Sequence, residues 1–98
     1  MNQLKLALTS FESEESDPNL TFFFTRNEDV ILIENNYSRF SINHISYEYD
    51  IDSEEMHCSH PEDSYSADIE QQLKAIAKEL NNESSFEGET YFVAQNVI

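Results

Sequence analysis

Three clusters of side chains in this sequence are of types that can do chemistry. Met56-His57-Cys58-Ser59-His60 places soft metal ligands within a few residues, with His44 as a conceivable fourth donor. Structural zinc sites pair their ligands as C-x2-4-C and H-x3-5-H, and this spacing matches neither. No metal is therefore expected. Glu48, Asp50 and Asp52 are the second cluster. Paired carboxylates can hold a divalent cation for phosphoryl transfer. Such a site normally adds a Lys, His or further acid to activate water and bind the phosphate, and the surrounding sequence has no Lys or Arg to hold an anionic substrate. No calcium loop of the D-x-[DN]-x-[DN]-G type is present either. The expectation is a protein without catalytic residues and without a cofactor.

The third cluster contains the second and is far larger. Nine carboxylates lie between Glu48 and Glu70, while residues 40–73 contain no Lys or Arg. The whole chain carries 20 acidic and 5 basic residues, a net charge of −15 over 98 residues. Carboxylates at that density repel one another and oppose compaction. A surface of one sign attracts a partner of the other, and strongly basic protein surfaces are commonly those that hold nucleic acid. The same charge repels nucleic acid itself and anionic lipid, so neither is an expected partner. An ordinary solvated surface mixes both signs; this one does not. Nor is the excess uniform, as in adaptation to high salt. The segment after it sets Asp68, Glu70 and Glu79 against Lys74 and Lys78, close to balance.

The elements that must position these charges are legible in the hydrophobic pattern. High net charge alone would suggest disorder, but 39% of the residues are hydrophobic, with seven Phe and five Tyr, and Pro and Gly are scarce. A disordered acidic chain is poor in such residues, so a folded single domain spanning 1–98 is expected. Leu4, Leu6 and Leu8 alternate with less apolar residues, predicting a strand over 3–11. Residues 20–25 and 30–33 predict two more strands, joined by the turn Arg26-Asn27-Glu28-Asp29. The segment 30–33 is apolar on both faces and so central. Phe40 and Ile42 share one parity, whereas Ile45, Tyr47, Tyr49 and Ile51 share the other, so a bulge or turn is expected at Asn43-His44. Residues 53–64 read as a polar loop. Ile69, Leu73, Ile76 and Leu80 form one stripe of a helix over 67–81, capped by Ser66 and ended at Asn81-Asn82. Residues 90–97 predict a last strand. The class is α+β: a mainly antiparallel sheet of four to five strands with one helix on one face.

On that frame Tyr47, Tyr49 and Ile51 point to the core, and Glu48, Asp50 and Asp52 form one solvent-facing row. Same-face neighbours on a strand lie about 6.6–6.8 Å apart, the order of the phosphate spacing along a nucleic-acid strand. Glu54, Glu55, Glu62 and Asp63 extend the row into the loop. Tyr37 and Tyr65, in turn and loop, are candidate contacts for Arg and Lys. The sole cysteine, Cys58, rules out an internal disulfide and fits a reducing compartment. No apolar run is long enough to span a bilayer and no secretory signal is visible, so the expected location is the cytoplasm of a host cell.

In size, acidity and compact α+β build, the chain resembles the small acidic DNA-mimic inhibitors that phages encode, most of all the anti-CRISPR proteins. The resemblance is of general character along the whole chain and carries no signature motif. It implies a competitive inhibitor that fills the basic groove of a CRISPR effector, nuclease or restriction enzyme and blocks entry of target DNA. The alternative is an immunity protein or antitoxin that neutralises a cationic nuclease toxin, using the same electrostatics with a few central anchors. Oligomeric state, and whether the acids of residues 12–17 join the face, are open at this level.

Overall fold

The computed structural model describes residues 4–11, 19–36, 45–61, 64–82 and 91–97, with side chains from Phe11 onward. It contains β1 (Leu4–Phe11), β2 (Thr21–Asn27), β3 (Val30–Asn35), β4 (Ser46–Asp50), β5 (Met56–Cys58), α1 (Ala67–Asn81) and β6 (Tyr91–Asn96). The strands form one sheet in the order β1-β6-β2-β3-β4-β5. The five strands from β6 to β5 are antiparallel to their neighbours, and β1 joins β6 in parallel. This is the α+β class read from the sequence, with β3 in the interior as its two apolar faces require.

Period-two burial sets the core. Phe22 and Phe24 on β2, Ile31 and Ile33 on β3, Tyr47 and Tyr49 on β4, and Phe92 and Ala94 on β6 are buried on one face. Helix α1 covers that face with Ile69, Leu73, Ile76, Ala77 and Leu80. Its boundaries follow from its caps. The Ser66 hydroxyl accepts from the Ile69 N–H at 3.4 Å, Asp68 and Glu70 lie in the positive first turn, and Lys78 lies in the negative last turn. Strands β5 and β6 run in the same direction, so the connection between them must cross the sheet; α1 makes that crossing.

Two expectations are corrected. The sheet has six strands rather than four or five, because Met56–Cys58 is a short edge strand inside the segment read as loop. Three residues are too few to show a period. Met56 and Cys58 still pack against the core while His57 is exposed. The strand carrying the acidic row also ends sooner: β4 stops at Asp50 and Ile51–Ser53 is a turn. Ile51 nonetheless packs against the core from there. The expected irregularity at Asn43-His44 lies outside the described residues.

Candidate acidic interface

On β4 the side chains alternate as the sequence implies. Tyr47 and Tyr49 are 1% exposed, whereas Glu48 is exposed on the opposite, outer face of the sheet. Glu48 stands across from Leu32 on β3 and from His57 on β5. Glu34, across from Ser46, is its diagonal neighbour on β3. The exposed His57 ring lies 3.7 Å from the Glu55 carboxylate. Asp50 shares the face of Glu48 but does a second job. Its Oδ1 accepts from the Asp52 N–H at 3.0 Å and the Ser53 N–H at 3.1 Å, closing the turn to β5 as aspartate side chains do. Asp52 is therefore not the third member of a straight row. It is exposed in the turn that the row runs into.

That turn is built on hydrogen bonds from the Asp50 N–H to the Glu55 carbonyl and from the Glu54 N–H to the Asp50 carbonyl, both 2.8 Å. The return to β5 is made at Glu54, which has φ 59°. The β2–β3 hairpin makes a comparable device next to it. Asn27 pairs with Val30 across the two-residue turn Glu28-Asp29, and Glu28 has φ 56°. Two-residue hairpins require such left-handed residues to match the twist of their strands. The two turns are stitched together by a 2.9 Å hydrogen bond from the Ile51 N–H to the Asp29 carbonyl. One end of the sheet consequently gathers Glu28, Asp29, Asp50, Asp52, Glu54 and Glu55.

Arg26 and Lys78 bond to this cluster, and Lys74 acts on Glu54 through its charge. The Arg26 Nε donates to the Glu28 carbonyl at 3.3 Å. The Lys78 ammonium, from the last turn of α1, lies 2.7 Å from Glu54 Oε1. Lys78 holds the Glu54 carboxyl below the usual carboxylate range, through the hydrogen bond first and the charge second, and Glu54 raises Lys78 in return. Glu55 has the exposed His57 ring beside it, and Glu28, Asp29, Asp50 and Asp52 take part in none of the described ion pairs.

Tyr65 is not a free contact residue. It is half-buried, with its ring edge-on to Phe22 at 5.6 Å between centroids, and its hydroxyl accepts from Asn35 Nδ2 at 2.7 Å. Its N–H donates to the Tyr47 hydroxyl at 3.0 Å, and that hydroxyl reaches Glu70 Oε1 at 3.3 Å. Tyr65 thus anchors the segment before α1 to the sheet. Tyr37, Glu62 and Asp63 lie outside the described residues. Of the acids singled out in the sequence, the structure brings together Glu48, Asp50, Asp52, Glu54 and Glu55. Sequence reasoning passed over Glu28, Asp29 and Glu34, the first two because they were read only as a turn. Their acidity was the available signal; the β3–β4 register that pairs Val30 with Asp50 is what makes them neighbours.

Among the described residues no group of three or more His, Cys, Asp or Glu is arranged to hold a metal ion. No helix among them is long and apolar enough to cross a membrane. No protein-family model, curated protein or solved structure matches the chain.

Proposed function

We propose that the protein is a non-enzymatic inhibitor that imitates nucleic acid, docking its acidic sheet end in the basic groove of a nucleic-acid-binding protein such as a CRISPR effector complex. The observation that supports this reading is the bond from Ile51 to Asp29. It fixes two acidic turns side by side and in continuity with Glu48 on β4. Carboxylates held on hydrogen-bonded turns lose little freedom on binding, and preorganisation of that kind raises affinity. A field of one sign also speeds encounter with a groove of Lys and Arg, at a rate that falls as salt screens it.

The test is displacement. A fluorescent DNA duplex bound to a purified CRISPR effector, to a restriction enzyme and to a nuclease toxin is titrated with the protein, and anisotropy is read. The reading predicts release from an effector or restriction enzyme, weakening steeply with salt. It also predicts a graded loss of potency as Glu28, Glu48, Asp52 and Glu55 are changed to Lys one after another. Asp50 is kept because it closes its turn. Displacement from the toxin alone, abolished by one substitution, would establish the immunity-protein alternative instead. Failure to displace duplex from any of the three refutes mimicry.

A further inference from the structure

The acidic face carries one side chain of a different kind. His57, on the edge strand β5, stands directly across from Glu48 on β4, and its Nε2 lies 3.7 Å from Glu55 Oε2. The His57 and Glu55 side chains are 62% and 67% exposed. Glu48 is exposed as well, so all three meet solvent where a partner would dock.

Glu48 and Glu55 are the charged groups nearest to His57. Directly opposed side chains on paired antiparallel strands touch, and diagonal ones lie somewhat further off. The diagonals on β4 are the uncharged Ser46 and Asp50, whose Oδ1 already takes the Asp52 and Ser53 N–H groups. Among the described residues β5 is the last strand of the sheet, so no further strand brings a charge to its open side. Helix α1 covers the opposite face, and its Lys78 is bonded to Glu54. His60 is a second imidazole close in sequence, with its Nδ1 3.1 Å from Ser59 Oγ. Of the ordinary side chains, imidazole alone changes charge between about pH 5 and 8.

Taking the protein as a nucleic-acid mimic, we propose that His57 is a pH-sensitive brake on the acidic interface. Neutral, it leaves Glu48 and Glu55 to the cations of the partner's groove. Protonated, it pairs with those two carboxylates and repels the incoming Lys and Arg. A cationic groove binds the form with neutral His57 more tightly. Affinity is therefore full above the imidazole titration and falls as pH drops through it.

Displacement of a fluorescent DNA duplex from a purified CRISPR effector tests it, read by anisotropy at about pH 8 and about pH 5.5 in buffers of equal ionic strength. On acidification the concentration for half-displacement is expected to rise about threefold to fivefold more for wild type than for His57→Gln, which cannot gain the charge. Titratable groups of the effector act equally on both, so the difference belongs to His57. His57→Lys carries the charge throughout and is expected to be weaker than His57→Gln by the same factor at both pH values. His60→Gln is expected to keep the wild-type response. Equal responses of wild type and His57→Gln, with displacement intact, overturn the brake and leave the mimic standing. So does a response lost in His60→Gln and kept in His57→Gln. No displacement at either pH refutes mimicry, and the brake falls with it.

Discussion

Tyr47→Phe removes one oxygen from a buried position that has two hydrogen-bond partners. The ring is 1% exposed, and its hydroxyl both accepts from the Tyr65 N–H at 3.0 Å and reaches Glu70 Oε1 at 3.3 Å. Phenylalanine fills the same volume, so no cavity forms and the effect is one of hydrogen bonding alone. Taking the acceptor from a partly buried N–H costs about 1–3 kcal/mol. The longer bond to Glu70 adds little, because that carboxylate is only half-buried and water can replace the hydroxyl. A net loss of about 2 kcal/mol follows. In a domain of 98 residues that lowers Tm by about 8–16 °C, at roughly 4–8 °C per kcal/mol. Urea unfolding followed by circular dichroism measures it, with the denaturant slope expected to match wild type. A loss below about 0.5 kcal/mol at an unchanged slope would refute the view that this hydroxyl ties the segment before α1 to the sheet.

Burial raises the Tyr47 and Tyr49 hydroxyls above the ordinary tyrosine range. The folded state thus keeps protons that the unfolded chain releases above about pH 10, and stability should fall as pH climbs past that point. For Tyr47 the fall is up to about 1.4 kcal/mol per pH unit, and a denaturation series from pH 9 to 12 should show a shallower decline in Tyr47→Phe. Glu28→Gly relieves a left-handed residue and should raise stability by about 0.5–1 kcal/mol; thermal melts that show no gain would count against strain in that turn. Asp50→Ala should cost about 1 kcal/mol in the same assay, while Asp50→Asn, which keeps the acceptor, should cost much less. In Lys78→Gln the Glu54 carboxyl should titrate at higher pH than in wild type, read by NMR, and an unmoved titration would exclude the ion pair.

The helix and most of the sheet could be read from the sequence because their signals are local. Ile69, Leu73, Ile76 and Leu80 mark the helix face, and Tyr47 and Tyr49 mark the inward parity of their strand. What the sequence hid is non-local. Nothing in the alternation of Leu4, Leu6 and Leu8 says that their strand pairs in parallel with residues 91–96, since periodicity sets a strand's faces and not its neighbours. The candidate site divides the same way. Glu48 and its outward direction were legible. Asp50 as a turn-closing acceptor, Asp52 off the row, and Glu28 and Asp29 beside them all depend on where β4 ends and on the bond between Ile51 and Asp29. Tyr65 was misread because an aromatic in a polar stretch looks like a contact residue until Phe22 and Asn35 are seen against it.

The place of β6 between β1 and β2 has a consequence for how the chain matures. Strands β2 to β5 form neighbouring hairpins that can assemble as they leave the ribosome, since β3, β4 and β5 each pair with the strand made just before them. Strand β1 is made first, yet its partner in the sheet is made last, some eighty residues later. Until β6 arrives, β1 has no neighbour among the described strands and the β2 edge is open as well. Closing so long a loop is a slow step, and unpaired strands are prone to wrong pairings while they wait. The insertion of β6 is thus the expected rate-limiting event of folding, and a chain stalled before residue 91 would hold β1 ready to mispair.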